Sequence, residues 1–260
     1  MTINKETTVK AIALTVPSAT RIFEDLGIDY CCGGNLSLTA ACDKAKVPIA
    51  KVVEALERPG RSVKWEGNER YWQSARLSQL IDHIVNTHHT FTRSELARIE
   101  RLAEKVCSAH GQNHPELMQV REVFRSLRED LIPHMLKEEQ VLFPYVDALE
   151  EAVSNHRPVP PTFFVTVQNP VRMMMMEHDK AGDILRNIRK LTNDFTLPSD
   201  ACMTFHSYYQ ALHGLETDLH QHIHLENNIL FPRAIEMEGA PRITAQNKLE
   251  RGHEHTCFGD

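Results

Sequence analysis

The segments HMLKEEQVLFP (134–144) and HIHLENNILFP (222–232) repeat one pattern, H-x-x-x-E-x-x-x-L-F-P, within a chain of 260 residues. On an α-helix, residues four apart lie on the same face, so each segment presents an imidazole beside a carboxylate. A single pair of this kind is common on solvent-exposed helices. Two copies with matching flanks instead favour a duplicated helix that binds metal.

The helix before each repeat offers a further histidine at a corresponding place. His178 lies 44 residues before His222, and His89 lies 45 residues before His134. Both His89 and His178 are followed by leucine, isoleucine and leucine at positions +7, +10 and +13, so the same core-facing pattern follows each. The sequence therefore predicts one histidine from each of four helices, converging in a bundle core.

His88 is the alternative to His89, because apolar residues also precede it at helical spacing. At position +7, however, His88 has Glu95 whereas His89 has Leu96, so we prefer His89 and expect His88 to support it. The predicted ligand set is His89, His134, Glu138, His178, His222 and Glu226. Two cations would compensate the buried carboxylates, and imidazole with carboxylate suits iron or manganese, although zinc and copper stay open.

Long helical patterns begin at Leu77 and break near 111–115, 155–161 and 197–199, where glycine and proline are frequent. They predict an all-α, up-down-up-down four-helix bundle with helices at approximately 77–108, 115–150, 170–194 and 199–236. The stretch FFVTV (163–167) is expected in the connection between the second and third helices. The bundle domain is placed at 77–238.

A small helical N-terminal domain is predicted at 1–62. Its expected helices are 17–26, a second one capped by Ser37, and IAKVVEALE after Pro48. Between them, IDYCCGG (28–34) is interpreted as a flexible turn that exposes Cys31 and Cys32. A linker is predicted at 63–76.

Several features near the ligands and in the tail are expected to be structural. Glu139 and Glu177 are interpreted as solvated helix-face charges, with steering of cations or protons into the site as the alternative. Met173 to Met176 are interpreted mostly as adaptable core packing, with one or two of them lining a path to the metals. The remaining histidines are expected at the surface or next to the ligands: His83, His110, His114, His156, His206, His213, His220 and His224. The segment 239–260 is predicted to be a short disordered tail, with metal binding by its His253, His255 and Cys257 as the alternative.

Composition excludes several function classes. Hydrophobic residues make up 42% of the chain and charged residues 25%, which is typical of a soluble globular protein. The net charge of −6 without a basic run argues against nucleic acid. No apolar stretch approaches the roughly 18 residues of a membrane span, and the polar start lacks a secretory signal, so a cytoplasmic location is expected. Six cysteines without a C-x-x-C pair predict reduced thiols.

Taken in order, the segments IDYCCGG, LIDHIVNTHH, HMLKEEQVLFP, MMEHDKAG and HIHLENNILFP resemble the repair-of-iron-centres (RIC) family of bacterial di-iron, hemerythrin-like proteins. The resemblance extends from about Thr8 to Ala234. It implies a hemerythrin-like bundle with an oxo-bridged di-iron centre, two iron ions held by the same six residues. Oxygen-carrying hemerythrins typically end in H-x-x-x-x-D rather than H-x-x-x-E, so an oxygen carrier is disfavoured.

The resemblance also implies a function. Such a protein repairs or protects iron–sulfur clusters damaged by nitric oxide or oxidative stress, by donating iron from a labile di-iron site to damaged or apo iron–sulfur proteins. Cys31 and Cys32 are then candidate redox or iron-transfer thiols, the alternative being that they pack a tight turn. An enzyme that reduces nitric oxide or peroxide, and a sensor of oxygen or nitric oxide, are the alternative functions, and a homodimer through the N-terminal domain stays open.

Overall fold

The computed structural model describes residues 3–16, 18–57 and 69–239, and helices dominate all three ranges. The short helices are α1 (Val9–Thr15), α2 (Ala19–Asp25), α3 (Leu38–Ala45), α4 (Ile49–Glu57) and α5 (Glu69–Ser74). Four long helices follow, and the described ranges contain no β-strand. The all-α prediction is confirmed. None of the described helices is both long enough and apolar enough to cross a bilayer.

Three of the long helices contain one π-helical turn each. Helix α6 consists of Leu77–His83, the π turn Ile84–His89 and Thr90–His110. Helix α7 consists of Glu116–Lys137, the π turn Glu138–Leu142 and Phe143–Ser154. Helix α8 is the regular helix Gln168–Leu191, and α9 consists of Met203–Leu225, the π turn Glu226–Leu230 and Phe231–Gly239. All of these bounds lie within about four residues of the predicted ones. The FFVTV stretch lies in the connection, as expected.

Two of the three π turns, those of α7 and α9, have a local cause in the sequence. The N–H of Phe143 donates to the carbonyl of Glu138, five residues back, and the N–H of Phe231 donates likewise to Glu226. The next residue in each case, Pro144 or Pro232, has no N–H and its ring crowds the carbonyl four residues back, so the regular α-helical bond is impossible there. The repeated F-P dipeptide therefore explains why a widened turn follows each H-x-x-x-E pair.

The bundle core consists of two apolar clusters with a polar layer between them. Helix α6 packs against α9, and α7 against α8. The first apolar cluster includes Leu96, Ile99, Phe124, Leu127, Leu185, Leu212 and Leu215, and the second includes Leu80, Ile84, Leu142, Phe143, Leu149, Ile229 and Phe231. On every long helix, the predicted metal ligands fall between residues of these two clusters. The fold thus places all of them in one layer, enclosed by hydrocarbon.

The N-terminal helices have their own core, centred on Phe23, Tyr30 and Leu38. Ser37 caps α3 as predicted, because its hydroxyl accepts from the N–H of Ala40 at 3.2 Å. Helix α1, capped by Thr8, was missed by the sequence analysis. Helix α5 lies within the segment predicted as a linker, 63–76, and the tail residues 240–260 lie outside the described ranges.

Candidate metal centre

The structure brings the six predicted ligands together in the polar layer, which we call the metal layer after their predicted role. All six side chains are buried, with relative exposures of 0–3%. They form two sets of donors, each within 4.8 Å of one another: His89, Glu138, His222 and Glu226 in one set, and His134, Glu138, His178 and Glu226 in the other. Both glutamates belong to both sets, so the arrangement is that of two adjoining cation sites.

Each set is organised around a pair of imidazoles from neighbouring helices. The Nε2 atoms of His89 and His222 lie 3.2 Å apart, and those of His134 and His178 lie 3.1 Å apart. All four rings therefore direct Nε2 toward the centre of the layer. Because two nitrogens that close cannot both donate to each other, at least one nitrogen of each pair presents a lone pair.

The two carboxylates connect the imidazole pairs. Each uses one oxygen toward each pair: Glu138 Oε2 lies 3.4 Å from His89 Nε2 and Oε1 lies 3.2 Å from His134 Nε2, while Glu226 Oε1 lies 3.1 Å from His222 Nε2 and Oε2 lies 3.2 Å from His178 Nε2. A carboxylate that faces two sites with its two oxygens is arranged to bridge two cations. Such an arrangement could hold a cation beside each pair of imidazoles.

The buried carboxylates of the layer also need nearby positive charge. None of the four oxygens of Glu138 and Glu226 has an aligned hydrogen-bond donor, although all are buried. Burial opposes the charge on Glu226, yet His222 and His178 hold its pKa well below the ordinary value. Burial likewise opposes protonation of His134, but Glu138 outweighs it and raises that pKa to about 10. Protons or metal ions must supply this positive charge, since unpaired buried carboxylates are costly.

Carboxylates outside the layer orient two of the imidazoles. His89 donates through Nδ1 to Glu139 at 2.6 Å, and His134 donates through Nδ1 to Glu177 at 2.8 Å. Such bonds leave Nε2 unprotonated and raise its basicity toward a metal. The prediction that Glu139 and Glu177 are solvated helix-face charges was wrong, because each also contacts a buried ring and a basic side chain.

The internal repeat extends to these orienting residues. Asn227 follows Glu226 as Glu139 follows Glu138, and its Oδ1 accepts from Nδ1 of His178 at 2.8 Å. His88 precedes His89 as Glu177 precedes His178, and it stacks on His222 with ring centroids 5.6 Å apart. His88 also donates to Asp218 at 3.0 Å, so it lies beside the metal layer rather than in it. Asn227 was not among the predicted residues, although it occupies the position after the repeated glutamate where the first repeat has Glu139.

The Cys-Cys turn packs against the metal layer. Cys31 is 6% exposed and Cys32 is half-buried, with the two sulfurs 3.8 Å apart and no disulfide. Asp29 accepts from the N–H groups of both Cys32 and Gly33 at 2.9 Å, and Cys32 Sγ lies 3.8 Å from the carbonyl oxygen of His178. The predicted exposed pair on a flexible turn was therefore wrong, because the bundle covers one thiol and hydrogen bonds hold the turn.

Two asparagines attach the turn to α9. Asn227 donates to the carbonyl of Cys31 at 3.3 Å, and Asn228 donates to the carbonyl of Tyr30 at 3.2 Å. A Cβ at Gly34 would lie 3.0 Å from both Asn228 Oδ1 and the Tyr30 carbonyl, so glycine permits this close approach. Because Asn227 also accepts from His178, one side chain connects a predicted ligand directly to the cysteine turn.

The methionine run behaves differently from its prediction as core packing. Met174 is buried, whereas Met173, Met175 and Met176 are 52%, 38% and 62% exposed. Met175 lines a cavity of about 150 Å³, together with Cys31, Cys32, Asn227 and Phe231. The helical period allows only one of four consecutive residues to face the core here. The cavity gives the two thiols a shared space beside the metal layer.

Comparison with known proteins agrees with this architecture. The hemerythrin HHE cation binding domain matches residues 80–234, and ScdA_N, a domain of unknown function, matches residues 5–59. A probable iron-sulfur cluster repair protein of Haemophilus influenzae is 36% identical over 224 residues, which cover 86% of this chain and 94% of that protein. The iron-sulfur cluster repair protein YtfE of Dickeya chrysanthemi is 33% identical over 231 residues, 87% and 96% of the two chains. YtfE of Escherichia coli O17:K52:H18 is 34% identical over 224 residues, 86% and 94%.

Proposed function

The chain belongs to the hemerythrin HHE cation-binding family, and from this premise we propose that it repairs iron–sulfur clusters with iron from its own di-iron centre. The relatives that cover most of the chain carry the name of iron–sulfur cluster repair proteins. Damaged or apo iron–sulfur proteins are then its partners. The six buried residues His89, His134, Glu138, His178, His222 and Glu226 would hold the two irons.

One observation carries this proposal: four buried carboxylate oxygens without donors face two pairs of imidazoles. Each cation would receive two nitrogens and one oxygen from each of Glu138 and Glu226, and imidazole with carboxylate and no thiolate suits iron. Protein donors would leave coordination positions for small molecules. When bound, the irons would supply a redox-active and exchangeable source of metal.

Release of iron requires that the ligands accept protons in its place. His134, with its pKa near 10 in the metal-free site, takes up a proton once the cation leaves, because Glu138 and Glu177 stabilise its charge. Metal affinity at such sites falls as protons compete for the ligands. We propose that this compensation makes the centre labile, since a proton on His134 replaces part of the positive charge that leaves with the cation.

The cysteine turn is the proposed route by which iron leaves the centre. Cys32 and Asp29 join Cys31 in a group of donors within 4.8 Å that could hold one cation, next to the 150 Å³ cavity. Contact with Cys32 and burial raise the pKa of Cys31 well above its ordinary value, so Cys31 stays protonated. Cys32 is the more exposed thiol, and we propose that it takes iron from the His178 side of the centre toward the acceptor.

The test is iron transfer from anaerobically purified protein to an apo iron–sulfur acceptor. Metal content and the visible spectrum are measured first, with two irons per chain expected. Cys32→Ser should keep both irons but slow their transfer, whereas Cys107→Ser, a half-buried thiol bonded to the Leu117 carbonyl, should transfer normally. Zinc in place of iron would count against the di-iron centre. Equal iron transfer by both variants would count against the cysteine turn as the exit route.

Turnover of nitric oxide or peroxide is the second candidate function, favoured by a narrow cleft beside the metal layer. The cleft is lined by Leu131, Ala181, Leu219 and Ile223, and by His134, His178 and His222. Asp130 and Glu177 complete its lining, and we propose this narrow, largely apolar cleft as the approach of small uncharged molecules to the ligands. An enzyme would consume many equivalents of nitric oxide per centre when supplied with electrons, whereas a donor would lose iron without turnover.

A further inference from the structure

A second group of metal-binding side chains lies at the far end of the bundle. We call His110, His114, Asp200 and Cys202 the His110 cluster. His110 ends α6, His114 precedes α7, and Asp200 and Cys202 precede α9, so the cluster joins three chain segments. His110 lies 21 residues beyond His89 on one helix, which is roughly 30 Å at the α-helical rise. The cluster is therefore separate from the buried centre.

Ligand atoms of three members already lie close together. Donor atoms of His110, His114 and Asp200 are all within 4.8 Å of one another. His114 Nε2 lies 3.0 Å from Asp200 Oδ1, and His110 Nε2 lies 3.2 Å from Cys202 Sγ. Sequence spacing is compact as well, since the members form H-x-x-x-H and D-x-C pairs.

These separations are close to those that a tetrahedral zinc site requires. Bonds of about 2.0 Å to nitrogen and about 2.3 Å to sulfur, at tetrahedral angles, put the two ligand atoms about 3.5 Å apart. Two ligands at about 2.0 Å lie about 3.3 Å apart by the same geometry. The observed 3.2 Å and 3.0 Å differ by only a few tenths of an ångström. Asp200 and Cys202 are exposed, so their side chains can close the remaining distance.

The two imidazoles are held in place by the fold. His110 and His114 both pack edge-on against Phe205, with ring centroids 5.4 Å and 5.5 Å away, and Phe205 is fully buried. Glu116 accepts from Nδ1 of His114 at 3.0 Å, which leaves Nε2 facing the cluster. Glu139 and Glu177 hold the buried ligands in the same way, and a carboxylate behind an imidazole is the usual support of a metal-binding histidine.

We propose that the His110 cluster is a mononuclear site for a zinc-type divalent cation, bound by two imidazoles, the Asp200 carboxylate and the Cys202 thiolate. The two anionic ligands neutralise a dication, and the mixture of nitrogen and sulfur donors suits zinc. The cation links the end of α6 to the starts of α7 and α9. It thereby closes the end of the bundle that the buried centre does not reach.

Cobalt(II) chloride is the probe, because tetrahedral cobalt bound to thiolate absorbs in both the visible and the near ultraviolet. The full-length, iron-loaded chain is titrated beside Cys202→Ser and His114→Ala. The wild type should bind one cobalt per chain more than either variant, and the thiolate-to-cobalt band should vanish in Cys202→Ser. Cys107→Ser, at a thiol that belongs to neither group of metal-binding side chains, is the matched control and should keep the band.

Glu116→Gln tests the supporting carboxylate. It should weaken cobalt binding about 10- to 100-fold while the thiolate band persists at saturation. The same band and stoichiometry in wild type and Cys202→Ser, or no thiolate band in the wild type, would overturn the site. Iron transfer by Cys202→Ser should equal that of the wild type, so failure of this site and failure of the repair function are separate outcomes.

Discussion

The first apolar cluster and the metal layer are built from the same four helices by opposite means. In the cluster, side chains such as Leu96, Phe124 and Leu185 are at most 3% exposed, and the helices are regular. In the layer, six titratable side chains are buried and three helices widen into π turns. Fully burying one large apolar side chain contributes about 1.5–3 kcal/mol, whereas an unpaired buried carboxylate opposes folding. Packing in the apolar cluster thus offsets the unfavourable free energy of burying the charged side chains of the metal layer.

The largest effect is expected in the apolar half. Phe124→Ala should lower the free energy of unfolding by about 3–5 kcal/mol, because it leaves a cavity in a fully packed cluster. Urea denaturation at neutral pH measures this loss. Met118→Ala, at a side chain 53% exposed, is the control and should change stability by less than about 0.5 kcal/mol. Equal effects would mean that the cluster does not dominate stability.

In the metal layer the loss should have an electrostatic cause. Glu138→Leu or Glu226→Leu should lower the stability of the metal-free protein at pH 7 by about 3 kcal/mol, because each removes the charged partner of buried imidazoles, and this pairing raises the pKa of His134 and holds that of Glu226 low. The same change removes a bridging carboxylate and should release at least one metal. Denaturation after chelation gives the first quantity and metal analysis the second. Retention of two metals by both variants would refute the bridging role.

Glu150 is a buried carboxylate that does have hydrogen-bond donors, in contrast to Glu138 and Glu226. Glu150 accepts from the N–H groups of Leu77 and Ser78 at 2.6 and 3.1 Å at the start of α6. Burial opposes its charge, but these bonds lower its pKa below the ordinary value. Glu150→Gln should therefore destabilise the protein by about 1–2 kcal/mol at pH 7.

The pH dependence of this difference follows from the direction of the pKa shift. The stabilisation is complete above the unfolded pKa of about 4.3 and is lost as pH falls through the lower folded pKa. The gap between wild type and Glu150→Gln, measured by urea denaturation, should thus shrink below about pH 4. Glu151→Gln, at the exposed neighbouring residue, should have the same stability as the wild type at every pH. A gap that widens in acid would contradict the role of the two N–H donors.

The smallest stability effect should come from Asn227. Asn227→Ala removes the acceptor for His178 and the donor to Cys31, which should cost about 1 kcal/mol. Metal affinity should fall about 10- to 100-fold, because the imidazole loses its orienting partner. Asn227→Asp restores the acceptor, as Glu139 supplies it in the other half, and should recover most of the affinity. Isothermal titration with iron(II) under anaerobic conditions distinguishes the two variants.

Residue spacing along the chain was enough to predict the helices of the bundle and the six residues that meet in the metal layer. Both depend on spacing along one chain: the α-helical period places His134 beside Glu138, and the repeat transfers that arrangement to His222 and Glu226. The π turns of α7 and α9 were not predicted, although the proline after each phenylalanine accounts for them through a missing N–H, which is a local effect. Such features need no knowledge of which helix lies next to which.

Only the tertiary structure decided the partners of those residues. Glu139 and Glu177 look like solvated charges on their own helices and become hydrogen-bond acceptors only through the register of a neighbouring helix. Cys32 lies against His178, 146 residues away in sequence, because the N-terminal helices dock on α8 and α9. Contacts of this kind depend on how two surfaces fit across the bundle, and no local period records that fit.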